Sequence, residues 1–188
     1  MNNRFLKFTA ALILISNLIL AGCSSGKEEV SKNKSSGNFK AGSEPVGFRD
    51  IRWGTDVSEL SGMEYLETDS NYIGGLQVYT KKGDDLRIGE AELTKIKYGF
   101  WKGKFYGVTI YTKGYGNWFG LKNAVFEKFG EGEYQIDKIE EIYSWIGDMT
   151  GMVMGYDEIA KEGRLGIFSL EMDKQEKALE KEKAKEDF

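Results

Sequence analysis

Between Gly47 and Leu170, short stretches of alternating apolar and polar residues are separated by turn-forming residues. A period of two is typical of a β-strand that buries one face. Two pairs of stretches are joined by tight turns, at Lys102–Gly103 and at Gly147–Asp148, which favours antiparallel neighbours. The predicted strands are Phe48–Trp53, Glu64–Thr68, Leu76–Lys81, Leu93–Trp101, Lys104–Thr112, Ile139–Ile146, Met149–Asp157 and Arg164–Ser169.

The stretch NWFGLKNAVFEKFG has the period of a helix instead. Asn117 is a candidate N-cap, and Gly130 stands where a helix commonly ends in a left-handed residue. The glycines of the preceding GYGNWFG do not match a dinucleotide-binding fingerprint, because the spacing is wrong and no βαβ unit surrounds them. The apolar residues near one face of this helix are Trp118, Leu121, Val125 and Phe129.

Two further segments have helical signals. Thr55 or Asp56 can cap a short helical turn in DVSELSG. Residues 171–188 are helix-prone and highly charged, and their thin apolar content predicts a solvated helix or tail, with a partner-binding helix as the alternative. The pattern as a whole predicts an α+β fold, with an antiparallel sheet packed on one main helix.

The N-terminus has the three parts of a secretory signal. Arg4 and Lys7 precede an apolar run, Phe8–Leu20, which is shorter than the roughly 20 residues of a membrane span. The sequence Leu20-Ala21-Gly22-Cys23 at its end resembles the lipobox of bacterial lipoproteins. The resemblance implies a signal peptide of residues 1–22, cleavage between Gly22 and Cys23, and covalent attachment of lipid, with acyl chains such as palmitate, to Cys23. The alternatives are an ordinary cleaved signal with an idle cysteine and a short membrane anchor.

Residues 23–46 are rich in Ser, Lys, Glu, Gly and Asn, and they predict a lipidated, disordered tether. Pro45, the sole proline, marks the expected start of a single folded domain, residues 47–170. A lipidated Cys23 would leave no thiol for a disulfide, so packing must stabilise this domain, and aromatic residues make up 13% of the chain.

Composition excludes several functions. The chain has 26 basic and 30 acidic residues, whereas nucleic-acid binding normally requires a basic surface, so nucleic acid is not an expected partner. There is no histidine, and the only cysteine is the expected lipidation site, which excludes Ser-His-Asp and Cys-His catalysis and histidine-ligated zinc. The abundant carboxylates show no spacing that singles out a catalytic or calcium site. We therefore predict no catalytic residue, no metal and no cofactor other than the covalent lipid, in a protein that is not an enzyme.

Alternation along the central hairpin predicts one candidate binding face. If the face carrying Ile96 and Val108 packs on the helix, aromatic and lysine side chains share the other face. Such a face could stack on sugars or hold a partner protein, although ordinary cross-strand packing or cover by a second layer of chain would give the same sequence. Its residues are Trp101, Phe105, Tyr111, Lys95, Lys97 and Lys113.

The phrases GFRDIRWGTDVSEL, IKYGFWKGKFYGVTIYTKG and LKNAVFEKFGEG resemble those of a group of bacterial lipoproteins and related secreted proteins with no assigned activity. The resemblance carries no functional residue. Together with the lipobox, it implies a cell-envelope lipoprotein, anchored in the cell membrane and facing away from the cytoplasm. With Ser24 after the cysteine, a cell with two membranes would sort it to the outer one. The expected function is binding of another envelope protein without catalysis, and the alternative is binding of a glycan or small ligand through the aromatic face.

Overall fold

A computed structural model describes residues 37–137 and 140–186, which belong to one compact unit of the chain. This part of the chain is mostly antiparallel sheet with two helices, which agrees with the predicted α+β class. Among the residues described, no helix is both long enough and apolar enough to cross a membrane. The predicted signal peptide and Cys23 lie outside the described residues.

The strands form a two-stranded hairpin, β1–β2, and one large sheet. In the large sheet β3, β4, β6, β7, β11, β10, β9 and β8 lie side by side in that order, and β5 also pairs with β6. The strands are β1 Gly47–Phe48, β2 Ile51–Arg52, β3 Met63–Asp69, β4 Leu76–Lys81, β5 Arg87–Ile88, β6 Ala91–Trp101, β7 Lys104–Lys113, β8 Glu133–Asp137, β9 Glu140–Ile146, β10 Thr150–Asp157 and β11 Glu162–Ser169.

Most predicted strands have a counterpart, but two details differ. The predicted strand Phe48–Trp53 is instead the β1–β2 hairpin, because Arg49 has a left-handed backbone with φ of 54° that reverses the chain. Strands β5 and β8 were not predicted, since β5 has only two residues and the sequence of β8, EYQID, is short and polar. The turn at Lys102–Gly103 is as predicted: both residues have positive φ, of 51° and 77°, which suits the twist of a two-residue hairpin.

The longer helices are α1, Tyr115–Phe129, and α2, Leu170–Glu186; Val57–Glu59 forms a single 3-10 turn capped by Asp56. The prediction that Asn117 caps α1 is wrong. Gly114 occupies the N-cap with φ of 79°, and the Asn117 side chain accepts a hydrogen bond from the Glu92 amide at 3.0 Å.

The main apolar core contains residues of α1 and of the central strands. Trp118, Leu121, Val125 and Phe129 of α1 belong to the same buried cluster as Ile96 of β6 and other strand residues. Gly120 permits close approach, because a Cβ there would lie 3.2 Å from the backbone nitrogen of Ala91. The other members of this core include Tyr98, Phe100, Phe105, Val108, Ile110, Trp145, Met152, Met154, Tyr156, Leu165 and Ile167.

A second, smaller apolar cluster lies under α2. Leu170 is buried with Trp101 and Tyr106, and Met172 and Leu179 pack against them. The prediction of a solvated C-terminal helix is therefore wrong for the first part of α2, although residues 180–185 are exposed. A few apolar residues of α2 are enough to pack its first part on the sheet, because the large aromatic rings of the sheet provide much of the contact area.

The packed part of the chain begins before Gly47. Residues 38–46, which the sequence assigns to the tether, contact strands β9 and β10, and Phe39 is buried in the main core against Phe129. The side-chain amide of Asn38 bonds to the backbone of Ser144 and Ile146. The polar composition predicted a disordered segment, but a few side chains, Asn38 and Phe39 among them, fix it against the end of β9 and the end of α1.

Candidate functional site

The structure does not keep the predicted binding face together. Phe105 is fully buried in the main core, and Trp101 is buried in the second cluster, where its Nε1 donates a hydrogen bond to the Ile73 carbonyl at 2.7 Å. Neither ring is open to a ligand. The alternation fails because Gly99 pairs with Gly107 whereas Phe100 pairs with Phe105, which makes Tyr106 an extra residue in β7.

The rest of the predicted face is closed by charged side chains. Tyr111 is buried, with Lys95 Nζ 4.5 Å from its ring centroid and the Arg164 guanidinium 5.4 Å from it. Lys97 forms an ion pair with Glu67. Lys113 lies at the end of β7, where its Nζ donates to the Ala160 carbonyl at 2.7 Å. Lys95, Lys97 and Tyr111 thus share a face, as predicted. On that face the charged side chains cover the Tyr111 ring and do not leave it open to a ligand.

A different aromatic surface is open to solvent, beside α1. Tyr115, Phe119 and Tyr134 are 55%, 47% and 52% exposed. Tyr115 stacks on Phe119 at 6.3 Å between centroids, and Tyr134 lies 5.1 Å from Tyr143. Lys122 joins the two pairs, because its Nζ is 5.8 Å from the Phe119 ring and 5.6 Å from the Tyr143 ring. We call Tyr115, Phe119, Lys122, Tyr134 and Tyr143 the α1 aromatic surface.

Helix geometry explains how this surface forms. Residues four or three positions apart share a helix face, so Tyr115, Phe119 and Lys122 lie one above another. They flank the stripe that the core buries, as the burial of Trp118 and Leu121 shows. Tyr134 of β8 and Tyr143 of β9 are directly paired across the two strands, which brings their rings together beside the helix.

A carboxylate holds the centre of the surface in place. Glu141 accepts hydrogen bonds from Lys122 Nζ at 2.6 Å, from the Tyr143 hydroxyl at 2.6 Å and from Trp118 Nε1 at 3.2 Å. Partial burial alone would raise the pKa of Glu141, but the hydrogen bonds from Lys122, Tyr143 and Trp118 hold it below its ordinary value. Burial and the bond to Glu141 raise the pKa of the Tyr143 hydroxyl. Lys122, Tyr143 and Trp118 all bond to this one carboxylate, which fixes their positions relative to one another.

Two other charged clusters are structural. Arg49 and the Tyr98 hydroxyl both bond to Asp84, which ties the β1–β2 hairpin to the loop before β5. On α2, Asp173 accepts from Lys177 Nζ at 2.7 Å and from the Tyr106 hydroxyl at 3.2 Å. Within residues 37–137 and 140–186, no group of three or more potential metal-ligating side chains lies together.

The α1 aromatic surface was missed by sequence reasoning, although part of its signal was visible. Tyr115 and Phe119 stand four residues apart, next to the apolar stripe of a predicted helix. Their connection to Tyr134, through Lys122 and Tyr143, could not be foreseen, because β8 was not predicted and the pairing of β8 with β9 decides which side chains face the helix. The predicted face has the stronger sequence signal, because its aromatic residues lie closer together along the chain.

Comparison with known proteins gives no further guidance: no protein-family model matches the chain, no curated protein is significantly similar in sequence, and no solved structure is significantly similar in fold. Any function must therefore be argued from the chain itself.

Proposed function

We propose that this protein is a membrane-anchored lipoprotein of the cell envelope, held by lipid on Cys23 and facing away from the cytoplasm. The support is the lipobox Leu20-Ala21-Gly22-Cys23 after an apolar run too short to span a membrane. A single acyl chain binds a bilayer only reversibly, so two or three chains on Cys23 supply stable attachment. In a cell with two membranes, Ser24 favours the outer one.

Mass spectrometry of the mature N-terminus tests the anchor. The expected result is a chain that begins at Cys23 and carries a diacylglyceryl group. A Cys23→Ser variant, which should remain uncleaved or leave the membrane fraction, is the matched control. A wild-type chain that begins elsewhere, with an unmodified thiol, contradicts this proposal.

We further propose that the folded domain is a non-enzymatic module that binds another envelope protein, and that its docking surface is the α1 aromatic surface. In this arrangement α1 is the main helix on which the sheet packs. The observation that carries the proposal is a set of three half-exposed rings, Tyr115, Phe119 and Tyr134. Lys122 connects the pair Tyr115–Phe119 with the pair Tyr134–Tyr143. Tyrosine and phenylalanine are enriched in protein interfaces, and a few such anchors carry most of the binding energy.

The fixed Lys122–Glu141 pair adds specificity to this surface. Both side chains are largely covered, with 14% and 26% of their area exposed, so a partner meets them already oriented. An oriented pair costs less conformational entropy on binding than two free surface side chains.

Crosslinking in intact membranes, followed by purification and identification of partners, tests the docking surface. We expect one partner to be retained by the wild type and lost in Phe119→Ala and Tyr134→Ala. Tyr65→Ala is the matched control, because Tyr65 is 58% exposed on the strand at the opposite edge of the sheet. Equal capture by all three variants argues against this surface.

Glycan binding is the second candidate, and one observation favours it. Lys122, Glu141 and Tyr143 place polar groups beside stacking rings, a combination that also suits a sugar. The predicted aromatic sheet face cannot serve, because Trp101 and Phe105 are buried. Retention of the purified protein on peptidoglycan or polysaccharide beads, lost in Phe119→Ala, would replace the protein-partner proposal.

A further inference from the structure

The folded domain is tied to its N-terminal segment at one end of the sheet. Asn38 bonds through its side chain to Ser144 and Ile146, at 2.8 Å in each case. Glu44 Oε1 accepts hydrogen bonds from the amides of Met149 and Thr150 at 2.6 and 2.8 Å. Asn38 and Glu44 are thus bound around the turn between β9 and β10, and the first described residue, Gly37, lies there against the Ile146 carbonyl.

Three apolar side chains stand exposed at this end. Val46, Ile146 and Met149 are 46%, 38% and 48% exposed. They belong to one neighbourhood, because the Pro45 carbonyl accepts from the Thr150 hydroxyl at 2.5 Å and the Asn38 side chain meets the Ile146 amide. We call the β9–β10 turn with Val46 the tether pole.

The charged side chains around the tether pole have mixed signs. Arg52, which pairs with Gly47, is exposed, as are Asp148 and Glu171, and Glu171 follows the residue whose amide bonds to the Met149 carbonyl. The Glu44 carboxylate is engaged with two amides. Contact with a bilayer through this pole would therefore rest on apolar side chains inserted among the headgroups, and it would depend little on salt.

The length of chain before the domain limits its distance from the lipid. Thirteen residues, 24–36, separate Cys23 from Gly37. A chain of that length cannot exceed about 45 Å even when fully extended. The sequence alone suggested a longer tether, of residues 23–46, but ten of those residues, 37–46, belong to the part of the chain that the structure describes, and most of them contact the sheet.

The α1 aromatic surface begins at the opposite end of the sheet. Strand β10 runs from Thr150, at the tether pole, to Asp157, and eight residues of strand span about 26 Å. Beyond Asp157, the β10–β11 turn meets the start of α1, where the Gly114 amide donates to the Lys161 carbonyl at 2.8 Å. Tyr115 therefore lies far from the tether pole.

From this geometry we propose that the tether pole rests on the phospholipid surface that holds the anchor, with Val46, Ile146 and Met149 at the headgroup level. This orientation directs the start of α1, with Tyr115, away from the membrane and toward a partner. The inference rests on the proposed lipidation of Cys23, since it is the short tether that keeps the pole near the bilayer.

Depth-dependent fluorescence quenching tests the orientation in the full lipidated chain. Because lipidation consumes the only cysteine, Met149→Cys and Ile159→Cys each provide one thiol for an environment-sensitive dye. Ile159 is the matched control: it is 79% exposed at the tip of the opposite turn. The labelled proteins are reconstituted in vesicles of phosphatidylethanolamine and phosphatidylglycerol, with or without nitroxide-bearing lipid.

We expect nitroxide lipid to quench the dye at position 149 several-fold more than the dye at position 159, and aqueous iodide to do the reverse. High salt should leave both results unchanged. If the chain is acylated and vesicle-bound but both dyes respond alike, or position 159 is the deeper, the orientation is wrong while the anchor stands. Absence of acylation and of vesicle binding overturns both.

Discussion

Phe105 and Tyr106 are neighbours in the chain, yet their side chains lie in different apolar clusters. Phe105 is fully buried in the main core, whereas Tyr106 packs with Trp101 and Phe168 in the cluster under α2. Consecutive side chains of a strand point to opposite faces, and the extra residue Tyr106 in the pairing of β6 with β7 decides that Phe105 is the one on the face of the main core. Two consecutive residues of one strand therefore stabilise both layers of the fold.

This arrangement predicts a large loss of stability when Phe105 is truncated. Phe105→Ala should lower the free energy of unfolding by about 3–5 kcal/mol, because it leaves a cavity in a fully packed core. Phe119→Ala, on the α1 aromatic surface, should change it by less than about 1 kcal/mol. Urea unfolding of both variants checks this, and equal losses would mean that Phe105 is not in the core.

Helix α2 should contribute to stability through its first part only. A chain ending at Leu179 keeps every α2 residue of the second cluster, so its unfolding free energy should match that of the full chain within about 0.5 kcal/mol. A chain ending at Ser169 uncovers Trp101 and Tyr106, and it should be much less stable.

Tryptophan fluorescence distinguishes these two truncations without unfolding them. The emission should shift to the red only in the chain ending at Ser169, since Trp101 then becomes exposed to water. An unchanged spectrum in that chain would contradict the position of α2.

Glu141 should make the protein more stable at neutral than at acidic pH. Its pKa is held below the ordinary value of 4.5, so ionisation favours the folded state. The stabilisation is present above the unfolded-state pKa and is lost as the pH falls through the lower folded-state value.

Glu141→Gln should therefore be destabilising at pH 7, by about 1–3 kcal/mol, because the charged hydrogen bonds from Lys122 and Tyr143 are weakened. The difference from wild type should shrink at strongly acidic pH. Unfolding curves of both proteins across this range give the comparison, and a difference independent of pH would exclude the depressed pKa.

Asp56 should titrate at unusually low pH. The Ser58 amide and hydroxyl both donate to its carboxylate, with a smaller contribution from Lys104, and they lower its pKa from 3.8 to about 2. Ser58→Ala removes the hydroxyl donor and should raise this pKa while leaving the 3-10 turn in place. Lys104→Ala removes a hydrogen bond and a positive charge and should also raise this pKa. Carboxyl NMR chemical shifts measure the midpoints, and an unchanged midpoint in both variants would contradict these causes.

Local chemistry let the sequence predict most of the secondary structure. Alternation marked the central strands, the pair Lys102–Gly103 marked a hairpin turn, and the spacing from Trp118 to Phe129 marked α1. Each signal depends only on residues within a few positions of one another. The lipobox is likewise a contiguous motif, so the expectation about Cys23 needs no fold at all.

Which side chains of each strand point to the core depends on the tertiary structure. One extra residue at Tyr106 reverses which side chains point to the core, and nothing in the alternation of β7 reveals it. The charged helix α2 is partly buried because its first part packs on Trp101 and Tyr106. Phe39 is likewise buried because it packs against Phe129, which is far away in the sequence.

The α1 aromatic surface also depends on strand pairing and long-range packing. Tyr115 and Phe119 come from one helix and Tyr134 from a strand that the sequence did not predict. Only the pairing of β8 with β9 places Tyr134 against Tyr143, whose ring lies near Lys122 of the helix. Sequence by itself determined most of the elements, the expected anchor and the absence of histidine chemistry. Which aromatic rings are covered and which remain open depends on long-range packing and register, and those are properties of the folded chain.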